Sequence, residues 1–230
     1  MTVQYTDITQ KSRPAQATYG RGAIASGSGW MYKHVCKRGL DIAFVVLALP
    51  IVLPLILVMA ALIACDGCHP FYGQQRVGRD GKLFTMWKLR SMVPNACAQL
   101  EQHLISDPAA RKEWDETQKL KSDPRITALG RVLRKTSLDE LPQLFNVLRG
   151  DMSLVGPRPM MPDQQSLYLG KAYYTLLPGM TGLWQISERN DSSFASRADF
   201  DTAYSERVSL KTDLSVLFAT IGVVLRGTGY

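Results

Sequence analysis

The longest hydrophobic feature of the chain is an apolar segment in its N-terminal third. From Ile42 to Ala64 no residue is charged. At about 1.5 Å per residue, a straight helix of this length reaches about 35 Å and can cross a hydrocarbon core of about 30 Å. The pattern therefore predicts a membrane helix, inside an anchor region that spans residues 30–70. A single membrane-spanning helix is the simplest form of this prediction.

Two prolines in the middle of this segment favour a different path. Pro50 and Pro54 each remove a helical backbone hydrogen bond, so we expect them to break the helix into two short arms joined by a sharp bend. Basic residues flank the segment on both sides, which leaves no asymmetry of positive charge across the membrane. They are Lys33, Lys37 and Arg38 before it, and Arg76, Arg79, Lys82, Lys88 and Arg90 after it. The sequence therefore predicts a re-entrant helix with both ends on the cytoplasmic face.

The rest of the chain, residues 71–230, shows short strand and helix patterns. Apolar and polar residues alternate from Phe71 to Leu89 around a glycine-flanked turn, which predicts a β-hairpin. Amphipathic spacing predicts two helices within residues 96–121, interrupted at Pro108. Further helices are predicted over about 138–149, 164–176, 197–207 and 213–226. The predicted fold class is α+β, mostly helical, with one catalytic domain whose last helix lies in the core or on a membrane surface.

Composition and charge narrow the classes of partner. The 230 residues carry a formal net charge of +7, and the pI is near 9.3. The chain therefore favours anionic partners: nucleic acid, acidic lipid or phosphorylated substrates. Residues 1–29 are rich in Ser, Gly, Thr and Gln and cannot bury enough apolar surface to fold, so we predict a flexible tail. The four cysteines form no disulfide framework, which favours a reducing compartment.

Two adjacent carboxylates, Asp139 and Glu140, follow a run of basic residues that includes Arg134. The spacing Ser137-x-x-Glu140 matches a capping box, so the pair can simply start a helix. The same geometry also suits chemistry, because a helix N-terminus beside arginines binds phosphate. We expect these cations and amides to keep Asp139 ionised, so that it can attack phosphorus. Its neighbour Glu140 can bind Mg²⁺, which takes few carboxylates and completes its shell with phosphates.

Two further segments offer groups for a phosphorylated ligand. Arg158 lies between two prolines, which fix the backbone and orient its guanidinium for bidentate contact with phosphate oxygens. Residues 178–190 combine a glycine-containing loop, an aromatic ring and polar side chains that suit a nucleobase and a ribose. From this segment we select Gln185, Arg189 and Asn190 as candidate nucleotide ligands. The ordinary alternatives are a surface turn at Arg158 and a core position for Trp184.

Three ordered motifs resemble a known family. They are Lys37-Arg38 with Asp41 before the apolar segment, Ser137-Leu138-Asp139-Glu140-Leu141-Pro142-Gln143, and Gly156-Pro157-Arg158-Pro159. From about residue 33 to the C-terminus, the chain resembles the monotopic phosphoglycosyl transferases, which initiate bacterial exopolysaccharide assembly. Long motifs in a fixed order are more specific than any one of them alone.

The resemblance implies an enzyme of the bacterial inner membrane, held by a re-entrant helix, with its catalytic domain on the cytoplasmic face. Its donor would be a UDP-hexose carrying galactose or glucose, its acceptor undecaprenyl phosphate, and its cofactor Mg²⁺. Asp139 would be the nucleophile that takes hexose-1-phosphate with release of UMP, and Glu140 would bind the metal ion. Arg90, Arg134 and Arg158 would contact the substrate phosphates.

Leu177 and Glu188 depart from the family pattern, which usually has a basic residue and a glycine at these positions. Two other classes of protein stay open on the residues alone. One is a membrane-tethered nucleic-acid binder, but the carboxylates beside its basic residues would repel phosphate, so we predict no nucleic-acid partner. The other is a single-span scaffold protein, which predicts that Asp139→Asn has no effect on function.

Overall fold

The computed structural model describes residues 31–65, 67–117, 120, 122–187 and 194–225, and the predicted tail over residues 1–29 lies outside them. The helices are α1 (Lys37–Ala64), α2 (Ala96–Ser106), α3 (Pro108–Thr117), α4 (Ala128–Lys135), α5 (Gln143–Arg149), α6 (Leu183–Ser187), α7 (Arg197–Arg207) and α8 (Leu210–Leu225). The strands are β1 (Phe71–Val77), β2 (Leu83–Leu89), β3 (Ser153–Val155) and β4 (Gly179–Thr181). The fold is therefore α+β and mostly helical, as predicted.

Local patterns place most elements correctly. The hairpin β1–β2, the interruption at Pro108 and helix α7 are confirmed. The prediction of one helix over 138–149 is wrong, because a 3₁₀ turn comes first and Pro142, which has no N–H to donate, separates it from α5. The prediction of one helix over 164–176 is also wrong, because Gly170 lies between two separate 3₁₀ turns.

Helix α1 is long and apolar enough to cross a membrane, and among the described residues no other helix is. It continues through Pro50 and Pro54 as one helix, whereas the sequence predicts a break there. Each proline removes only its own N–H donor, so the hydrogen bonds on either side keep the helix continuous. A bend within this continuous helix, and the re-entrant path, stay predictions.

The rest of the described chain covers one face of α1 along most of its length. Val45 is fully buried against the hairpin and α5, and further along Ile56 and Ile63 pack against Leu89 and Leu133. The opposite face exposes large apolar side chains. The most exposed of them are Leu47 and Ile51, at 76% and 77%. A helix with protein on one face and an uncovered apolar face on the other is suited to lipid contact.

A buried polar cluster connects the start of α1 to the start of α8. Lys37 Nζ lies 2.5 Å from Oδ2 of Asp213. The hydroxyl of Tyr32 donates to the same oxygen at 2.7 Å, and the hydroxyl of Tyr204 donates to Oδ1 at 2.7 Å. Because all four groups are paired, this cluster holds the C-terminal helix against the entry point of the apolar helix.

Two further contacts attach the same end of α1 to the domain. Asp41 accepts hydrogen bonds from Ser153 Oγ at 2.7 Å and from the backbone N–H of Leu154 at 3.2 Å. Arg38 donates to the backbone carbonyls of Val147 and Leu148 at the end of α5. The carbonyl of Val147 also accepts the N–H of Gly150 at 3.1 Å, so the guanidinium adds to the backbone cap at the C-terminal end of α5.

Asn146 fixes the hairpin to α5. Its amide nitrogen donates to the carbonyl of Thr85 at 2.7 Å, and its amide oxygen accepts the N–H of Trp87 at 3.0 Å. The side chain is fully buried, so it acts as an extra strand segment beside β2. This arrangement fixes the position of Lys88, the next residue of β2.

A short parallel pair, β3 with β4, was not predicted from the sequence. Gly156 N donates to the carbonyl of Thr181, and Gly179 N donates to the carbonyl of Pro157, both at 2.8 Å. A Cβ on Gly179 would lie 2.1 Å from the nitrogen of Gly156, so only glycine permits this approach. The pair places Arg158, which follows β3, beside the segment that follows β4.

Candidate active site

Asp139 and Glu140 lie on the 3₁₀ turn Leu138–Glu140, between α4 and α5. Ser137 precedes the turn with a φ of 57° and makes no side-chain cap, so the predicted capping box is wrong. In this left-handed conformation the backbone of Ser137 reverses the chain direction instead. The turn directs Asp139 inward, where it is 6% exposed, and leaves Glu140 at the edge of a cleft.

Lys88 of β2 lies beside both carboxylates. Its Nζ is 2.8 Å from Oε1 of Glu140 and 4.0 Å from Oδ2 of Asp139. Adjacent carboxylates repel each other, and a shared ammonium group reduces this repulsion. From the sequence alone, Lys88 is one of the basic residues that flank the apolar segment and is not among the predicted site residues. Its position in an alternating strand gave no signal for this role.

Burial raises the pKa of the Asp139 carboxyl above its usual value, and the negative charge of Glu140 adds to this effect. Lys88 and Arg134 lower the pKa of the same group but do not outweigh burial. The sequence predicts that cations and amide donors dominate, because the desolvation of Asp139 depends on tertiary packing that the sequence does not show. Asp139 is therefore a desolvated carboxyl beside two cations, as in sites where a carboxyl performs chemistry.

Two of the three predicted phosphate ligands lie near the carboxylates or their cleft. Arg134, on α4, is close enough to Asp139 to lower its pKa, and its Nε donates to Ser91 Oγ at 2.9 Å. Arg158 lines the cleft together with Glu140. Arg90 instead donates to the carbonyl of His69 at 3.0 Å and to that of Ile63 at 3.3 Å. These contacts attach β2 to the end of α1, so its role at the site stays a prediction.

Two arginines that are not among the predicted site residues lie near Arg158. Arg76 of β1 donates to the carbonyl of Pro159 at 3.1 Å. The guanidinium of Arg197, at the start of α7, lies 4.2 Å from the ring centre of Trp184, and that of Arg158 lies 5.9 Å from the same ring. The three guanidinium groups form no ion pair within the described ranges.

The arginine cluster, Arg76, Arg158 and Arg197, concentrates positive charge at the site, although the charges of Glu140 and Asp201 act on Arg76 and Arg197 respectively. Burial, followed by the positive charge of Arg158, lowers the pKa of Arg76 to about 10 and that of Arg197 to about 10. In addition, Nε of Arg76 and Nε of Arg197 are buried and have no hydrogen-bond partner among the described residues. Unpaired guanidinium donors in a cleft suit a phosphate or diphosphate ligand.

Glu140 and two members of the arginine cluster, Arg76 and Arg158, border a common cleft. Its lining includes Arg76, Lys88, Glu140 and Arg158. A larger cavity of about 200 Å³ lies on the other side of Glu140 and Arg158 and extends to α8. Gln185 lines this larger cavity and not the cleft. The other predicted nucleotide ligands, Arg189 and Asn190, lie outside the described residues.

Among the described residues, no group of three or more His, Cys, Asp and Glu side chains could hold a metal ion. A complete protein-made metal site is therefore absent from this part of the chain. Mg²⁺ needs only one or two carboxylates when substrate phosphates supply further oxygens. Glu140 fits this requirement, because its carboxylate borders the cleft that also contains Arg158.

Known proteins identify the family of this chain. A family model described as bacterial sugar transferase matches residues 32–227. The chain belongs to the bacterial sugar transferase family. All the described groups of this sugar transferase's site, from Arg76 to Arg197, lie within the matched region.

Three relatives of this sugar transferase illustrate the family. The undecaprenyl-phosphate galactose phosphotransferase of Salmonella typhimurium is 52% identical over 195 residues, which cover 84% of this chain and 41% of that protein. The UDP-galactose-lipid carrier transferase of Erwinia amylovora is 50% identical, with the same coverage. The exopolysaccharide production protein ExoY of Sinorhizobium fredii is 47% identical over 198 residues, 85% of this chain and 88% of that protein. The chain thus spans less than half the length of the first two relatives.

Proposed function

We propose that this sugar transferase moves hexose-1-phosphate from a UDP-hexose, galactose or glucose, to undecaprenyl phosphate and releases UMP. The observation that supports this function is a single cleft lined by Lys88, Glu140, Arg158 and Arg76, with Asp139 beside it, 4.0 Å from the ammonium group of Lys88. A diphosphate spanning this cleft would present one phosphorus to Asp139 and its second phosphate to the arginines. The names of the relatives point to the same donor and acceptor classes.

The reaction proceeds in two displacements. A carboxylate oxygen of Asp139 attacks the phosphorus that bears the hexose, and the bond to the bridging oxygen breaks, so that UMP leaves with that oxygen and its electron pair. A phosphate oxygen of undecaprenyl phosphate then attacks the same phosphorus. The Asp139–phosphorus bond breaks, the carboxylate is regenerated, and the product is an undecaprenyl diphosphate hexose. This product would be the first lipid-linked sugar of an exopolysaccharide repeat unit.

Cations of the chain stabilise the charge that moves during these steps. Lys88 lies between the carboxylates, and Arg134 supplies a second positive charge on the α4 side of Asp139. Arg158 and Arg76 would hold the phosphate of the leaving UMP. Glu140 is the residue that would hold Mg²⁺, which when bound neutralises phosphate charge and orients the leaving group.

The packing of α1 supports a location at the cytoplasmic face of the inner membrane with both helix ends on that side. The catalytic domain contacts α1 near its start through Lys37 and near its end through Ile63. If α1 crossed the bilayer along its normal, its two ends would lie on opposite sides of the membrane, and a domain on one side could not contact both. The apolar face of α1 opposite the domain would then lie in the cytoplasmic leaflet.

The test of this function is the release of UMP from a panel of UDP-hexoses, with undecaprenyl phosphate present. Mass spectrometry of the chain with the best donor and no acceptor should show a hexose-phosphate adduct on the peptide that contains Asp139. Asp139→Asn should abolish the adduct and lower turnover by several orders of magnitude, as expected for loss of a nucleophile. Because burial already disfavours the Asp139 charge, the variant should fold as stably as the unmodified chain.

Other outcomes would count against specific parts of this proposal. Turnover without any adduct, and only with both substrates bound, would mean direct transfer and remove the covalent step. Unchanged activity in Asp139→Asn would favour a scaffold role for the cleft. Absence of UMP release with every donor would contradict the function itself.

A further inference from the structure

The larger cavity, on the α8 side of the site, stays unoccupied when the diphosphate of the donor lies in the cleft. It has a volume of about 200 Å³, and Glu140 and Arg158 line both it and the cleft. Away from these two groups, its walls are mostly apolar. They include Leu154, Ile186, Leu217 and Val223. The cavity thus has a charged end, formed by Glu140 and Arg158, and an apolar interior that contacts α8.

We propose that this cavity binds the isoprene units next to the phosphate of the polyprenyl phosphate acceptor, with α8 as its wall and Arg158 at its phosphate end. The inference rests on the proposed function and adds a location for the acceptor. A uridine or a hexose would bring many hydroxyl and carbonyl groups into a cavity with few polar partners, which is costly. A prenyl chain ending in a phosphate matches both the apolar walls and the charged end.

The position of α8 gives the rest of the prenyl chain a route to the membrane. The face of α8 outside the cavity exposes Phe218 and Ile221, at 70% and 55%. The same helix begins at the ion pair between Asp213 and Lys37, which stands at the entry of the apolar helix α1. The wall of the cavity is therefore anchored beside the membrane segment, so a long acceptor can leave the cavity without crossing an aqueous gap.

Gln185 distinguishes a phosphorylated lipid from a plain hydrocarbon chain. Its side chain lines the cavity, it is more than nine-tenths buried, and neither amide atom has a hydrogen-bond partner among the described residues. A phosphate oxygen entering at the Arg158 end would give the amide nitrogen an acceptor. A phospholipid acyl chain would leave this amide buried and unpaired, which is unfavourable. We therefore assign the cavity to the acceptor and not to a membrane lipid tail.

The experiment fills the cavity and measures each substrate separately. In Val223→Trp the indole should occupy the space next to α8. The matched control is Ile221→Trp, the same type of change on the exposed face of the same helix. KM is measured in the full chain for UDP-hexose, for undecaprenyl phosphate and for a ten-carbon prenyl phosphate.

Val223→Trp should raise KM for both acceptors by about tenfold or more, equivalent to about 1.4 kcal/mol of binding free energy. In the same variant, KM for UDP-hexose should stay within about twofold of its unmodified value. Ile221→Trp should leave KM for the ten-carbon acceptor unchanged. The short acceptor is decisive because it has no tail to lie in the membrane.

Three results would overturn the assignment. A raised KM for UDP-hexose would give the cavity to the donor. If Val223→Trp raises KM for undecaprenyl phosphate but not for the ten-carbon acceptor, the contact between α8 and the prenyl chain lies in the bilayer and not in the cavity. Equal acceptor KM values in Val223→Trp and the unmodified chain would mean that the cavity does not bind the acceptor.

Val224 also lines the cavity, so Val224→Phe provides the same test if Val223→Trp does not fold. Failure of the proposed function is distinct, because the unmodified chain would then release no UMP.

Discussion

The ammonium group of Lys88 lies 2.8 Å from Oε1 of Glu140, although the two residues are 52 positions apart in the chain. The same ammonium is 4.0 Å from Asp139, so one cation of the hairpin faces both carboxylates. Any metal ion on Glu140 must therefore bind against the positive charge of Lys88. This competition gives the two residues opposite effects on metal use.

We predict that chelation with EDTA abolishes turnover, and that substitutions at the pair shift the Mg²⁺ requirement in opposite directions. Glu140→Gln removes the ligand and should raise the Mg²⁺ concentration at half-maximal activity. Lys88→Met removes the competing cation and should lower the Mg²⁺ concentration at half-maximal activity. Its maximal turnover should fall roughly 10²-fold, because the ammonium group no longer stabilises the charge that develops during the reaction. Magnesium titrations of initial rates measure both. Lys82→Met, exposed on the same hairpin, is the control. Full activity in EDTA would exclude a metal role for Glu140.

The arginine cluster should determine donor affinity. Arg76→Lys and Arg197→Lys keep the positive charge but lose the planar fork, so each should raise KM for UDP-hexose by about tenfold. KM for the acceptor should change less. Arg79→Lys, in the exposed turn between β1 and β2, is a control for the charge-preserving substitution. Unchanged donor KM in both variants would mean that the cluster serves only the packing around Trp184.

Three native cysteines test the path of α1. Cys36 and Cys65 lie just outside its two ends, Cys97 lies in α2, and all three are exposed. Proteins that keep only one of them, with serine at the other cysteine positions, should all react with an impermeant maleimide from the cytoplasmic face. This is the result for a re-entrant helix. Reaction of Cys36 from the opposite face to Cys65 would show that α1 spans the membrane instead.

Stability should depend on pH through Asp201, a buried carboxyl of α7 that lies outside the cleft. Burial raises its pKa to about 7, although a hydrogen bond from Tyr168 and the charge of Arg197 act in the opposite direction. The folded chain then holds this proton more tightly than the unfolded chain does. The stabilising contribution is complete below about pH 4 and is lost as the pH rises towards 7.

Asp201→Asn should therefore raise the melting temperature relative to the unmodified chain, and by more at pH 8 than at pH 5. Thermal unfolding followed by circular dichroism at the two pH values measures the difference. Asp199→Asn, an exposed position of the same helix, should show no such pH-dependent gain. An equal shift at both pH values would indicate a packing effect and not a titration.

The sequence by itself determined the parts of this protein that depend on neighbouring residues. The apolar run gave α1, alternation gave the hairpin, and the adjacency of Asp139 and Glu140 after a basic run indicated phosphate chemistry. Family membership was also evident, because its motifs are contiguous. Pro50 and Pro54 show the limit of local reasoning, since the backbone stays helical through both, while a bend there stays a prediction.

The tertiary structure alone decided which distant groups meet. Lys88, Arg76 and Arg197 joined the site, although each occupies an ordinary position in its own strand or helix. Arg90 holds the end of α1, a contact that the sequence did not indicate, and its predicted contact with phosphate stays a prediction. The reason is physical: burial and long-range packing set the pKa of Asp139 and the convergence of the arginines. These quantities depend on how β2, α4 and α7 pack together, which no local pattern specifies.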